Sequence, residues 1–262
     1  MHGLGYNNLS MEKKIEFTYQ AYQALLNLIK ENGYQYSNYN DYSTKKKVVI
    51  LRHDIDYYLE YALRFAEIEN ENGAQAVYFV EISSEFYNVF SKRNTKIAQD
   101  ILDLGHVIGL HFDRTKYGTN FDVTNPEYRK RICEQLDILE QAIGKKIRCL
   151  SMHEPSKDEL IYDLQLKNVK NAYSKEFFEG FKYYSDSVMN WREDVVGGIC
   201  SGAYDRIQIL THPFWYAQEE GDIKTMLKRF INSGNVQRYT VLEEICCYFD
   251  QYITEKDLIT ER

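Results

Sequence analysis

The sequence predicts an α/β fold in which a parallel sheet curves into a complete or irregular barrel. Three observations carry this. Short runs such as Val48-Val49-Ile50-Leu51 are apolar throughout, as strands covered on both faces must be. Amphipathic helical stretches alternate with these runs through short connections, the pattern of βα units. No glycine-rich phosphate loop follows the first strand, which counts against an open dinucleotide-binding sheet.

Taken in order, the elements begin with a helix from about Met11 to Asn32. Ile15, Tyr19, Tyr22, Leu25, Leu26 and Ile29 recur there at helical spacing, and Gly33 supplies a stop. A loop with Tyr34, Tyr36, Tyr39 and Tyr42 follows and reads as amphipathic surface packing, with a sugar-stacking surface as the alternative. Strands are expected at Val48–Leu51, Ala76–Val80, Val107–Leu110 and Ile147–Leu150, and shorter ones near Ala172-Tyr173, Lys182–Tyr184 and Ile207–Leu210. Helices are expected at Leu59–Asn72, Thr95–Leu104, Pro126–Ile143 and Asp158–Leu166, several of them closed by a glycine. Two more are expected at the end, near Ile223–Ile231 and Val241–Tyr252.

No repeat, linker or low-complexity tract divides the 262 residues, so one domain is expected over 1–262, with a helical extension at 1–46. A net charge of −7 without a dense basic stripe disfavours a nucleic-acid partner. No run reaches the roughly 18 apolar residues of a spanning helix, so membrane insertion is not expected. The polar stretch Met1 to Lys14 lacks the apolar centre of a secretory signal, which favours a cytoplasmic protein. The five cysteines form no C-x-x-C pair and suggest no disulfide framework; Cys133 and Cys149 read as core residues, and Cys246-Cys247 as neighbours on a helix.

The chemistry gathers at strand ends. Val48–Leu51 runs into Arg52-His53-Asp54-Ile55-Asp56, and Val107–Leu110 into His111-Phe112-Asp113. Ile147–Leu150 leads to His153, Lys182–Tyr184 to Asp186, and Ile207–Leu210 to His212. In a parallel barrel these carboxyl ends meet on one face, where such folds place their chemistry. Singly, each residue has a plain structural explanation: an Asp after a strand commonly caps a turn, and His106 and His53 read as packing or orienting residues. Five such ends together are harder to explain by packing. Asp54 and Asp56 lie two apart and share a side of an extended chain, where their repulsion calls for a cation or a proton between them. A divalent metal meets that need, and His with carboxylate ligands suits zinc, with iron, cobalt or nickel as alternatives. Trp191 and Trp215 read either as core aromatics or as the floor of a sugar pocket.

From about Val48 to Tyr216 the chain resembles the polysaccharide deacetylases, the NodB-homology group of carbohydrate esterase family 4. Arg52-His53-Asp54-Ile55-Asp56 resembles the first motif, a divergent His-Asp-x-Asp form, and Gly105 to His111 the second. His153-Glu154-Pro155-Ser156 is similar to the third, Ser185-Asp186-Ser187 through Trp191-Arg192 to the fourth, and Leu210 to Trp215 to the fifth. The resemblance implies a distorted (β/α) barrel with about seven parallel strands and a metal-dependent hydrolase acting on an acylated carbohydrate in surface-glycan synthesis. It implies Asp54 as base, His212 as acid with Asp186 as its partner, and Asp56 and His111 as metal ligands, with Trp191, Arg192 and Trp215 in the substrate groove. One position departs: Thr115 stands where the family carries a second His. The third ligand is then His153 or Asp113, of which His153 is preferred because it ends its own strand and offers a neutral nitrogen. Arg52 or Arg192 is left to orient Asp54. A barrel without metal that binds a glycan or a protein, or a hydrolase of a small non-sugar amide, is the competing reading.

Overall fold

The computed structural model describes residues 15–118 and 120–258. Its sheet is organised around β2 (Val48–Ile55), which is buried along its whole length. The apolar start of this strand leaves no face that could meet solvent, so neighbours cover it on both sides. Strand β1 (Gln35–Tyr36) pairs with its beginning. The remaining strands are β3 (Ala76–Val80), β4 (Val107–Phe112), β5 (Cys149–Met152), β6 (Lys170–Asn171), β7 (Lys182–Ser185) and β8 (Arg206–Thr211). They run in the order β6-β5-β4-β3-β2-β8-β7, and every pairing is parallel. Seven strands thus form a curled sheet whose path ends at two short strands, β6 and β7. This is an irregular barrel of the kind the alternation predicts, with the seven parallel strands that the resemblance implies.

The helices are α1 (Tyr19–Glu31), α2 (Leu59–Glu71), α3 (Lys92–Asp103), α4 (Tyr128–Ile143), α5 (Lys157–Tyr162), α6 (Lys175–Phe178), α7 (Val195–Ser201) and α8 (Ile223–Ile245). The expected start of the first helix, Met11 to Lys14, lies outside the described residues. Thr18 caps α1 through its hydroxyl, which accepts from the Ala21 N–H. Two compact units make up the chain, one ending at Gln218 and the other beginning at Glu219. Among its described residues the second contains α8 and short 3₁₀ turns at Phe249–Gln251 and Glu255–Asp257. No helix among the described residues is long and apolar enough to cross a membrane.

Several expectations need correction. The final helices at 223–231 and 241–252 are one helix, Ile223–Ile245. The polar stretch Asn232-Ser233-Gly234-Asn235 contains no proline, and one helical glycine costs only about 1 kcal/mol. Cys133 is exposed, and Cys246-Cys247 fall at and beyond the helix end; all five cysteines are free. The strand near Ala172-Tyr173 sits two residues earlier. The tyrosine loop is not surface packing: Tyr34, Tyr39 and Tyr42 are buried. Tyr39 and Tyr42 pack with Val48, Ile50, Phe177 and Phe181, closing the barrel at the amino ends of its strands.

Candidate metal centre and active site

Strands carry the reactive residues further than their apolar runs suggest. β2 continues through Arg52, His53 and Asp54, so alternation sorts these side chains onto opposite faces. Arg52 and Asp54 turn into the barrel, and Asp56 follows in the same phase. His53 turns outward, as its phase predicts. β4 carries His111 one residue before its end, and the His153 N–H, just past β5, donates to the Phe112 carbonyl at 2.9 Å. That bond extends the β4–β5 ladder and sets His153 beside His111. Glu154, at φ 41°, then turns the chain away in a left-handed conformation that costs a non-glycine residue energy.

Asp56, His111 and His153 converge. His111 Nε2 and His153 Nδ1 each lie 3.3 Å from Asp56 Oδ1. The two nitrogens are 3.2 Å apart. The three ligand atoms fall within 4.8 Å of one another, the one such cluster among the described residues. The triangle fits a cation: ligand bonds of about 2.0–2.1 Å in a tetrahedron place donor atoms about 3.3 Å apart. Asp56 Oδ1 makes no well-formed hydrogen bond in the structure, which suits a further partner. Burial opposes the charge on Asp56, but the close imidazoles of His111 and His153 hold its carboxyl well below the usual range. For His153, burial favours the neutral form and Asp56 outweighs it, pushing the imidazole up to about 9.

Asp113 and Thr115 stand apart from this cluster. The Thr115 hydroxyl and backbone N–H both donate to the Asp113 carboxylate at 2.7–2.8 Å, forming the turn after β4.

Asp54 is held from below. Arg52 Nη2 donates to its Oδ2 at 2.7 Å and Nε to its Oδ1 at 3.3 Å, with the guanidinium fully buried. Arg52 also donates to the Ser151 hydroxyl and to the Tyr173 hydroxyl, and its Cζ lies 4.6 Å from the centroid of the Tyr173 ring. Of the two arginines that could orient Asp54, Arg52 is the one in contact. Burial alone would raise the Asp54 pKa; the charges of Arg52, His111 and His212 bring it below the ordinary carboxylate value.

His212 follows β8, and Asp186 follows β7. The ring Nδ1 of His212 lies 2.6 Å from Asp186 Oδ1, which leaves Nε2 facing the cluster, 4.0 Å from Asp56 Oδ2. Burial disfavours the imidazolium, but Asp186, and then Asp56 and Asp54, push it up to about 9.

These groups open onto a cavity of about 330 Å³ lined also by Tyr57, Arg192 and Trp215. Trp191 is not among its lining residues. A wider groove of about 890 Å³ continues past His153 along Glu81, Ser83 and Phe86. Sequence reasoning missed Glu69, which is fully buried on α2 behind the site. Its signal was available: it falls in phase with Ala62, Phe65 and Ala66 on the buried face of that helix.

Compared with known proteins, the chain matches no family model. It likewise matches no curated protein. Similar solved structures include a carbohydrate esterase family 4 pseudoenzyme from Bacillus anthracis, at 18% identity and a TM-score of 0.42. The match covers 78% of this chain and 66% of that one, so the chain spans just under two thirds of its length. A family 4 carbohydrate esterase from Bacillus anthracis is similar at 16% identity and a TM-score of 0.42, covering 80% and 84%. A chitin deacetylase from the fungal pathogen Colletotrichum lindemuthianum is similar at 13% identity and a TM-score of 0.41, covering 77% and 86%.

Proposed function

We propose that this protein is a metal-dependent deacetylase that removes an N- or O-acetyl group from a sugar. One observation carries the reading. The Asp56–His111–His153 triangle is flanked by a carboxylate held ionised, Asp54, and an imidazole held protonated, His212. A binding module has no need of a base and an acid around one centre.

A divalent cation held by Asp56, His111 and His153, zinc being the best match to this donor set, supplies Lewis-acid polarisation of an acyl carbonyl and lowers the pKa of water. Asp54, kept charged and aimed by Arg52, takes the proton of the attacking water. His212 donates its Nε2 proton to the leaving nitrogen or oxygen as the acyl bond breaks, and Asp186 stabilises the imidazolium that precedes transfer. Trp215 offers an aromatic face to a sugar ring, and Arg192 a hydrogen-bond donor to its hydroxyls. Thr115 favours a non-catalytic reading, but its hydroxyl donates to Asp113, and His153 beside Asp56 and His111 supports a donor set that does not need it.

The experiment is acetate release from N-acetylated and O-acetylated sugars by zinc-loaded protein, with and without a chelator. Release that stops with chelation and returns with metal is the expected result. No release from any acetylated sugar by the metal-loaded protein would end this reading.

A further inference from the structure

The outer face of β2 carries a buried polar chain that the chemistry above does not use. Glu69, on α2, is fully buried, as are His53 and Thr211. Its Oε1 accepts from the Tyr22 hydroxyl and lies 2.7 Å from His53 Nε2; its Oε2 accepts from the Tyr78 hydroxyl at 2.5 Å. His53 Nδ1 lies 2.6 Å from Thr211 Oγ1. With the Nε2–H donated to Glu69, Nδ1 is the acceptor for the Thr211 hydroxyl, and the three residues form one directed chain. His106 stands beside it but is satisfied elsewhere, by the Ala76 N–H at 3.2 Å and the Ala66 carbonyl at 3.0 Å.

The position of this chain in the sheet is what gives it a role. His53 and Thr211 are the last register partners between β2 and β8. The next residue on one strand is Asp54 and on the other His212, both facing inward. Beyond this rung the two strands share no further register partners, and the outward side chains of His53 and Thr211 add a side-chain tie at the point where the shared register stops. Glu69 ties the same clamp to α2.

We propose that Glu69, His53 and Thr211 are positioning residues that fix the separation between the strand end bearing Asp54 and Asp56 and the strand end bearing His212. The proposal deepens the deacetylase reading and rests on it for its kinetic arm.

The test uses the zinc-loaded full chain with Thr211→Val, which keeps the side chain's shape and removes the hydroxyl, and Thr211→Ser, which keeps the hydroxyl. Thr211→Val is expected to lower kcat on an acetamido sugar about tenfold, in line with one lost hydrogen bond. KM, metal content and hydrolysis of an activated aryl acetate, which needs no proton donor, should stay within about twofold. Thr211→Ser should restore the rate. A second readout is independent of turnover: solvent exchange of the His212 imidazole N–H, followed by NMR, should speed up in Thr211→Val and recover in Thr211→Ser. Equal loss on both substrates, or unchanged exchange in Thr211→Val, would overturn the positioning role. If the wild type hydrolyses neither substrate, the deacetylase reading falls and the exchange measurement still decides this one. Glu69→Gln is expected to show the same split more strongly where it folds.

Discussion

His212 and Asp186 meet twice: the ring Nδ1 lies 2.6 Å from Oδ1, and the backbone N–H of His212 donates to both carboxylate oxygens at 3.1 Å. Ring and backbone are therefore oriented by the same group. His212→Ala should lower kcat on an acetamido sugar by about 10²–10⁴ with metal content unchanged, and should barely affect an activated aryl ester. The acid form is present below the His212 pKa, which is pushed up to about 9, and is lost as pH rises through it. Asp186→Asn removes the largest charge that raises it, so the alkaline fall in rate should move to lower pH. A pH–rate profile on both substrates checks this; an unmoved alkaline limb would take Asp186 out of the pairing.

Arg52 makes the Asp54 assignment testable from beneath. Asp54→Asn should keep the metal and lose about 10²–10⁴ in kcat. Arg52→Gln leaves a buried carboxylate without its cation, so the Asp54 pKa should rise and the acidic limb of the profile move to higher pH. Breaking a buried pair from one side typically costs about 3–5 kcal/mol, to be measured by chemical denaturation. An acidic limb identical to wild type would mean that another group is the base.

Metal binding should be set by three residues and indifferent to a fourth. About one transition-metal ion per chain is expected, lost in Asp56→Asn and His111→Ala and weakened in His153→Ala. Thr115→Ala should bind as wild type. Because Asp56 pushes His153 up to about 9, a cation must displace its proton. Binding should therefore weaken as pH falls below that value and release protons, measurable by calorimetry in buffers of different ionisation enthalpy. Full metal content in His111→Ala would dismiss the site.

The buried Glu69 gives a stability prediction. Burial would raise its pKa, but His53, His106 and the Tyr22 hydroxyl hold it below the ordinary glutamate value. A depressed carboxyl contributes stability that is complete above its unfolded pKa, near 4.3, and is lost as pH falls through the folded one. His106, lowered by burial, adds acid sensitivity from about pH 6.5 downward. Glu69→Gln should thus melt lower than wild type at neutral pH, with the gap narrowing in acid. A gap independent of pH would show that the carboxylate charge contributes nothing.

Much of the site was legible because strand ends in a parallel barrel share a face. Asp54, Asp56, His111, His153 and His212 could be grouped by position alone, and the phase of His53 correctly turned it away. Contacts between elements were not legible. Arg52 and Arg192 were equal candidates until β2 proved to extend through Arg52. Asp113 was a candidate by its spacing from His111, but its carboxylate accepts from the Thr115 hydroxyl and N–H in the turn after β4, a contact between neighbours that spacing does not reveal. The tyrosine loop was misread because a hydrophilic, turn-rich segment carries no sign of the cavity it fills.

The two faces of β2 also limit how this protein can vary. Arg52, Asp54 and Asp56 lie on one side, His53 and Ile55 on the other, and alternation links their fates. A shift of β2 by one rung against its neighbours would exchange all of them at once, placing His53 in the barrel and the carboxylates against α2. A shift of two would restore the sides but break every register partner. Length changes before Val48 can therefore persist only where the loop absorbs them and the strand does not slide. For this strand, parity is a heritable constraint as strict as the identity of any single residue on it.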